Sequence, residues 1–112
     1  MKQVILDSSF ILTCIKQKID FFEEIELMGI QIIIPKQVIN ELKGLKAKLA
    51  LRLLDKHKFK KIDLKTKNTD AGIKNYADKN KNVIIATLDK ELKNKIKNKK
   101  LIIRGKKKLM MI

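Results

Sequence analysis

The apolar residues of this chain come in short β-branched bursts separated by stretches of helical spacing. Three bursts, QVIL (3–6), IQIII (30–34) and NVIIA (82–86), are too short for helices and read as buried strands. A helical pattern fills Ser9 to about Gln17, and DFFEEIELMG forms a short amphipathic helix capped by Asp20 and closed by Gly29. From Lys36, the residues Val38, Leu42, Leu45, Leu49 and Leu53 recur at spacings of four and three, one face of a long helix bent at Gly44. FKKIDLK (59–65) reads as an edge strand, and Thr69 as the cap of a helix from Asp70 to Lys79 that turns Ile73, Tyr76 and Ala77 inward. A last helix is expected from Thr87 to Asn98 with Leu88, Leu92 and Ile96 as its stripe. KLIIRGKKKLMMI closes the pattern as strand, basic turn at Gly105 and strand.

Strands alternating with helices predict an α/β fold, a mainly parallel, Rossmann-like central sheet with helices on both faces. Such sheets bind ligands beyond the carboxyl ends of their strands, at a topological switch point. That rule singles out four acidic residues. Asp7 follows the first strand directly, and Asp89 stands three residues past the end of NVIIA. Glu41 lies in the first turns of the helix leaving IQIII, and Asp70 opens the helix after Thr69. The topology lets all four converge on one sheet edge.

At 112 residues the whole chain, 1–112, reads as a single domain with room for one site. No apolar run approaches the roughly 20 residues of a membrane span, and the start of the chain does not read as a signal peptide, so a cytoplasmic protein without membrane contact is expected. Cys14 is the sole cysteine and His57 the sole histidine, which excludes an intrachain disulfide, a thiolate zinc site and a histidine metal cluster. Cys14 reads as a core residue and His57 as a solvated helix end.

The net charge is +15, unevenly distributed. Residues 1–35 hold 3 basic and 5 acidic side chains, residues 36–67 hold 11 and 3, and residues 89–112 hold 10 and 2. A basic middle and C-terminal part point to a polyanion, with RNA the expected partner and Lys43, Lys46, Lys90 and Lys93 the expected backbone contacts. A lysine-rich composition, with 25 lysines to 2 arginines, accounts for the charge without any partner.

Converging carboxylates repel and favour their protonated forms unless a cation compensates them. An all-oxygen set without His or Cys selects a hard ion, Mg²⁺ or Mn²⁺, which activates water and stabilises charge in phosphodiester hydrolysis. Each acid also has a structural explanation: Asp7 as a helix cap, Asp70 and Asp89 as favourable charges at helix N-termini, Glu41 as a solvated helical residue.

Four stretches, VILDSSFIL, IIIPKQVINEL, TDAGIKNYA and VIIATLDKELKNKIK, occur in the order found in the PIN-domain ribonucleases, and the chain resembles that family over nearly its full length. Its C-terminal part is most similar to the stand-alone archaeal branch near the Fcf1-like ribosomal-RNA processing factors, and it is also similar to toxin ribonucleases of the VapC type. The resemblance implies a PIN fold and Mg²⁺- or Mn²⁺-dependent cleavage of single-stranded RNA. It places the catalytic and metal-binding acids on Asp7, Glu41, Asp70 and Asp89, with a supporting hydroxyl on Thr87. The family often has Asn where this chain has Ser9, and a polar residue where it has Leu88. It further implies a homodimer, for which the apolar residues of DFFEEIELMG are candidates, and either an antitoxin or a ribosome-assembly partner. A non-catalytic RNA-binding protein on the same fold is the alternative. A receiver-like signalling domain is excluded, because its paired acids after the first strand and its phosphoacceptor Asp are missing.

Overall fold

In the computed structural model, which describes residues 1–105 and 107–112, the strands and helices follow the expected alternation. They are β1 (Lys2–Leu6), α1 (Ser8–Lys16), α2 (Phe21–Leu27), β2 (Ile30–Pro35), α3 (Lys36–Gly44), α4 (Lys48–Lys56), β3 (Lys60–Ile62), α5 (Thr69–Lys79), β4 (Ile84–Ala86), α6 (Lys90–Lys95), β5 (Leu101–Arg104) and β6 (Lys108–Met111). β1 to β4 form one parallel sheet in the order β3-β2-β1-β4. The chain moves outward from β1 through β2 to β3 and then crosses back to the far side of β1, so the switch point lies between β1 and β4.

The two faces of the sheet are sorted by the two-residue period of its strands. Val4, Leu6, Ile32, Ile34, Ile84 and Ala86 point to a large core with α1 to α4. Ile5, Ile33 and Ile85 point the other way, onto Ile73 and Ala77 of α5 and Leu92 of α6. Both faces are therefore covered, which is why these strands are apolar throughout rather than alternating. The hairpin β5–β6 is antiparallel and adjoins the sheet through Ile85, whose amide donates to Lys99 O at 3.0 Å. Gly105, at φ +64°, turns the hairpin as expected, whereas Lys106 of that basic turn lies outside the described residues.

Each fully buried Phe or Ile contributes about 1.5–3 kcal/mol through removal from water, and this burial holds the fold. The ion pair Lys74–Asp78, at 2.9 Å on the surface of α5, is solvent-screened and adds little.

Several expectations are corrected by the structure. The long helix from Lys36 is two helices, because Lys46 takes a left-handed φ of +55° and the chain re-enters α4 at Lys48. The break shifts the helical phase, so that Ala50 and Leu54 are buried while Leu45 and Leu49 face solvent. Asn68, rather than Thr69, caps α5, accepting from Ala71 N at 3.0 Å, and Thr69 is the first, buried residue of the helix. The helix expected over Thr87–Asn98 is confined to α6. Asp89 caps it, which leaves Leu88 in the connection, and Asn98 is drawn away to donate to the carbonyls of Asn80 and Val83 at 3.0 and 2.9 Å.

Phe21, Phe22 and Ile25 of α2 are fully buried and belong to the core; of the large apolar side chains of that segment only Leu27 and Met28 are exposed. His57 is not merely a solvated helix end. Its ring stacks on Phe22 with centroids 4.2 Å apart and planes 7° from parallel. Cys14 is fully buried as expected, and burial, with the nearby Glu24 charge second, pushes its thiol up to about 12. No described helix is long and apolar enough to cross a membrane.

Candidate active site

Every parallel strand ends at the same edge of the sheet, and the candidate residues are distributed along it. Asp7 follows β1, the segment 87–89 follows β4, α3 leaves β2, and the loop 63–68 leads from β3 into α5. The switch point is closed by a backbone bond from Asp7 N to Ala86 O at 2.9 Å, which places the ends of β1 and β4 side by side.

Asp7 is buried, with 5% of its surface exposed. Its Oδ1 accepts from Ser8 N at 2.9 Å, and its Oδ2 accepts from the hydroxyls of Thr87 at 2.8 Å and Ser9 at 3.1 Å. Thr87 Oγ1 in turn accepts from Asp89 N at 3.1 Å, and Ser9 Oγ from Leu88 N at 3.1 Å. Ser9 and Thr87 approach to 3.3 Å, and with both hydroxyl protons directed at Asp7 this is a contact rather than a further bond. The network explains how a serine serves at the ninth position: one hydroxyl reaches the carboxylate and also receives the amide of the β4 turn. Asp7 does cap α1, yet its two hydroxyl bonds exceed what a cap requires.

Asp89 Oδ1 accepts from Glu91 N at 2.9 Å and Leu92 N at 3.2 Å, a helix cap that fixes the carboxyl's orientation. Glu41 Oε1 accepts from Ser8 Oγ at 3.1 Å, which ties α3 to the start of α1. Ser8 was not among the candidates; its place next to Asp7 was the only signal for it. Asp70 reaches solvent at the first turn of α5, and its carboxyl is pushed above the usual range. Desolvation is the first cause, followed by the charges of Asp7 and Asp89, a hydrogen bond with the Asp89 carboxyl, and the charge of Glu41. Asp70 thus feels the charge of the other three acids expected at the edge.

Among the described residues, no three His, Cys, Asp or Glu side chains are already arranged to hold a metal ion. The donor chemistry nevertheless fits a hard divalent cation. The set is all oxygen, and Asp70 carries an electrostatic load from three other carboxylates that a cation relieves.

The expected lysines are not gathered together. Lys90 opens α6 beside Asp89, and Lys93 stands one turn further on. Lys43, two residues beyond Glu41, is turned about 200° away from it around α3, and Lys46 sits in the bend before α4. A groove of about 610 Å³ beside Glu41 is instead lined by Lys36, Lys65 and Lys67. Hydropathy patterning could not find these three, because two of them belong to a loop.

A family model described as a PIN like domain matches residues 4–106. The chain is 37% identical over 123 residues to Ribonuclease VapC4 of Methanocaldococcus jannaschii, across 96% of this chain and 94% of that protein. The solved structure of the PIN domain endonuclease Utp24 superposes with a TM-score of 0.85 at 28% identity, covering 97% of this chain and 90% of that one.

Proposed function

The chain belongs to the PIN-like domain family, and on that premise we propose that it is a divalent-metal-dependent endoribonuclease that hydrolyses phosphodiester bonds of single-stranded RNA. The observation that carries this reading is the bonded network at one sheet edge, in which Thr87 and Ser9 hold Asp7, Thr87 also receives Asp89 N, and Ser8 beside Asp7 holds Glu41, acids far apart in sequence. A purely structural role gives no reason to place them together.

In this reading Asp7, Glu41, Asp70 and Asp89 hold the cation. Bound there, Mg²⁺ or Mn²⁺ supplies an activated water and neutralises charge developing on the phosphate. The protein's own contribution is positional. Thr87 and Ser9 hold Asp7, the first amides of α6 hold Asp89, and Ser8 holds Glu41, so three of the four carboxylates are oriented by bonds of their own. Lys90 and Lys93, on the helix that Asp89 caps, serve the RNA backbone.

Two cellular roles accord with the family resemblance of the sequence, maturation of ribosomal RNA and action as a toxin restrained by an antitoxin protein, both in the cytoplasm. Inhibition of the purified enzyme by a co-expressed antitoxin favours the second.

The test is incubation of the native chain with single-stranded and duplex RNA in Mn²⁺, Mg²⁺ or EDTA. The reading expects internal cleavage of the single strand in either metal and none in EDTA. RNA that stays intact in both metals while binding the protein would make it an RNA-binding member of the family instead.

A further inference from the structure

The carboxyl edge of the sheet has two halves of opposite character. The acids Asp7 and Asp89 lie over β1 and β4, whereas the groove lined by Lys36, Lys65 and Lys67 lies over β2 and β3. From β1 to β3 is two strand spacings, about 10 Å. Glu41 and Thr69 also line the groove, and Glu41 accepts from Ser8, whose amide donates to Asp7, so the groove borders the acidic centre.

The outer wall of the groove is the loop 63–68, and it is held firmly. Gln37, in the first turn of α3, donates from Nε2 to Asp63 Oδ1 at 2.8 Å and accepts from Leu64 N at 3.1 Å. Asp63 Oδ1 also receives Lys65 N at 2.8 Å. The Gln37 bond foremost, then Lys65 N, and last the charges of Lys36 and Lys65, hold the Asp63 carboxyl below its usual range against an opposing desolvation. Lys65 adopts a left-handed φ of +56° within this clasp. On the inner side the loop rests on α5 at Gly72, where an added Cβ would meet Thr66 Cγ2 at 2.7 Å and Leu64 Cβ at 2.8 Å. Asp63, which the sequence presents as ordinary surface charge, is therefore a structural member of the groove.

Resting on the ribonuclease reading, we infer that this groove is the track for the sugar-phosphate backbone of the RNA strand on one side of the cleavage centre. Lys36, Lys65 and Lys67 contact phosphates, while Gln37 and Asp63 are positioning residues that keep the loop in place. The lining has no aromatic side chain, so bases do not stack there and the contacts are insensitive to sequence. An acidic protein partner is disfavoured, because the groove borders the acidic centre, where on the ribonuclease reading the substrate strand lies.

The test compares two triple variants of equal charge. One is Lys36→Gln/Lys65→Gln/Lys67→Gln; the other is Lys2→Gln/Lys81→Gln/Lys99→Gln, at the opposite end of the strands. Binding of a fluorescein-labelled oligouridine is followed by anisotropy in EDTA across a salt series, and matched melting temperatures show that both variants fold. The groove variant is expected to bind about tenfold more weakly, with the slope of log affinity against log salt shallower by about 2, three phosphate contacts at about 0.7 each. In Mn²⁺ its KM for RNA rises while kcat is retained. Equal weakening by the two triples, or native affinity in the groove variant, overturns the inference. Failure of the chain to cleave RNA sinks the ribonuclease reading alone, since the anisotropy comparison still decides the groove.

Discussion

Thr87 donates its hydroxyl to Asp7 Oδ2 at 2.8 Å, joining the ends of β4 and β1 across 80 positions of chain. Thr87 Oγ1 itself receives the amide of Asp89, so one threonine sets the orientation of two of the four acids. Thr87→Val removes both bonds while preserving shape. The change is expected to cost about 1–3 kcal/mol for the poorly satisfied buried carboxylate and to slow RNA cleavage by about 10–100-fold. Thr87→Ser retains most of both quantities, and urea unfolding with single-turnover cleavage measures them.

Asp70 carries the electrostatic cost of the cluster. Its carboxyl is raised by desolvation first and by Asp7, Asp89 and Glu41 next, so the folded chain holds that proton more tightly than the unfolded chain does. Below the ordinary carboxylate range the group costs nothing, and stability is lost as pH climbs through the raised value. Without divalent cations Asp70→Asn therefore melts higher than the native protein at neutral pH, and the difference closes at acid pH. Melting scans in EDTA across that range check the sign; a variant that melts lower at neutral pH would contradict it.

Gly72 is the point where α5 meets the loop 63–68. Gly72→Ala brings a methyl to within 2.7 Å of Thr66 and 2.8 Å of Leu64, a clash against side chains close to the backbone. The expected loss is about 1–3 kcal/mol, despite the helix-favouring nature of alanine, and denaturant unfolding measures it.

Cys14 is fully buried in the core, and its thiol is pushed up to about 12 by burial and then by Glu24. The thiolate is the reactive form. In mildly alkaline buffer the native protein is expected to leave a disulfide reagent unreacted, with release of one equivalent only after denaturation. Rapid reaction of the native chain would contradict the packing of α1 against the sheet.

The strands were legible because Val4–Leu6, Ile32–Ile34 and Ile84–Ala86 are apolar without interruption, which is the signature of a sheet covered on both faces. Their carboxyl ends then located Asp7 and Asp89. The α3–α4 break was hidden, because Leu45, Leu49 and Leu53 continue the helical spacing and only the backbone of Lys46 departs from it. The end of α6 was hidden for another reason: Ile96 keeps the stripe at spacing four and is buried, while Asn98 leaves the helix to satisfy carbonyls from α5 and the entry to β4. Gln37 and Asp63 escaped notice because their partnership spans 26 positions and has no periodic pattern.

The central claim is that the clustered carboxylates form a metal-dependent cleavage centre. Its most direct test is single-turnover cleavage of single-stranded RNA in Mn²⁺ by the native chain, Asp7→Asn and Asp89→Asn, with the melting temperature of each followed with and without the metal. Both variants are expected to fold but to cleave at least about 100-fold more slowly, with Mn²⁺ raising the native melting temperature more than theirs. Native rates in both variants, or undiminished cleavage in EDTA, would contradict that claim.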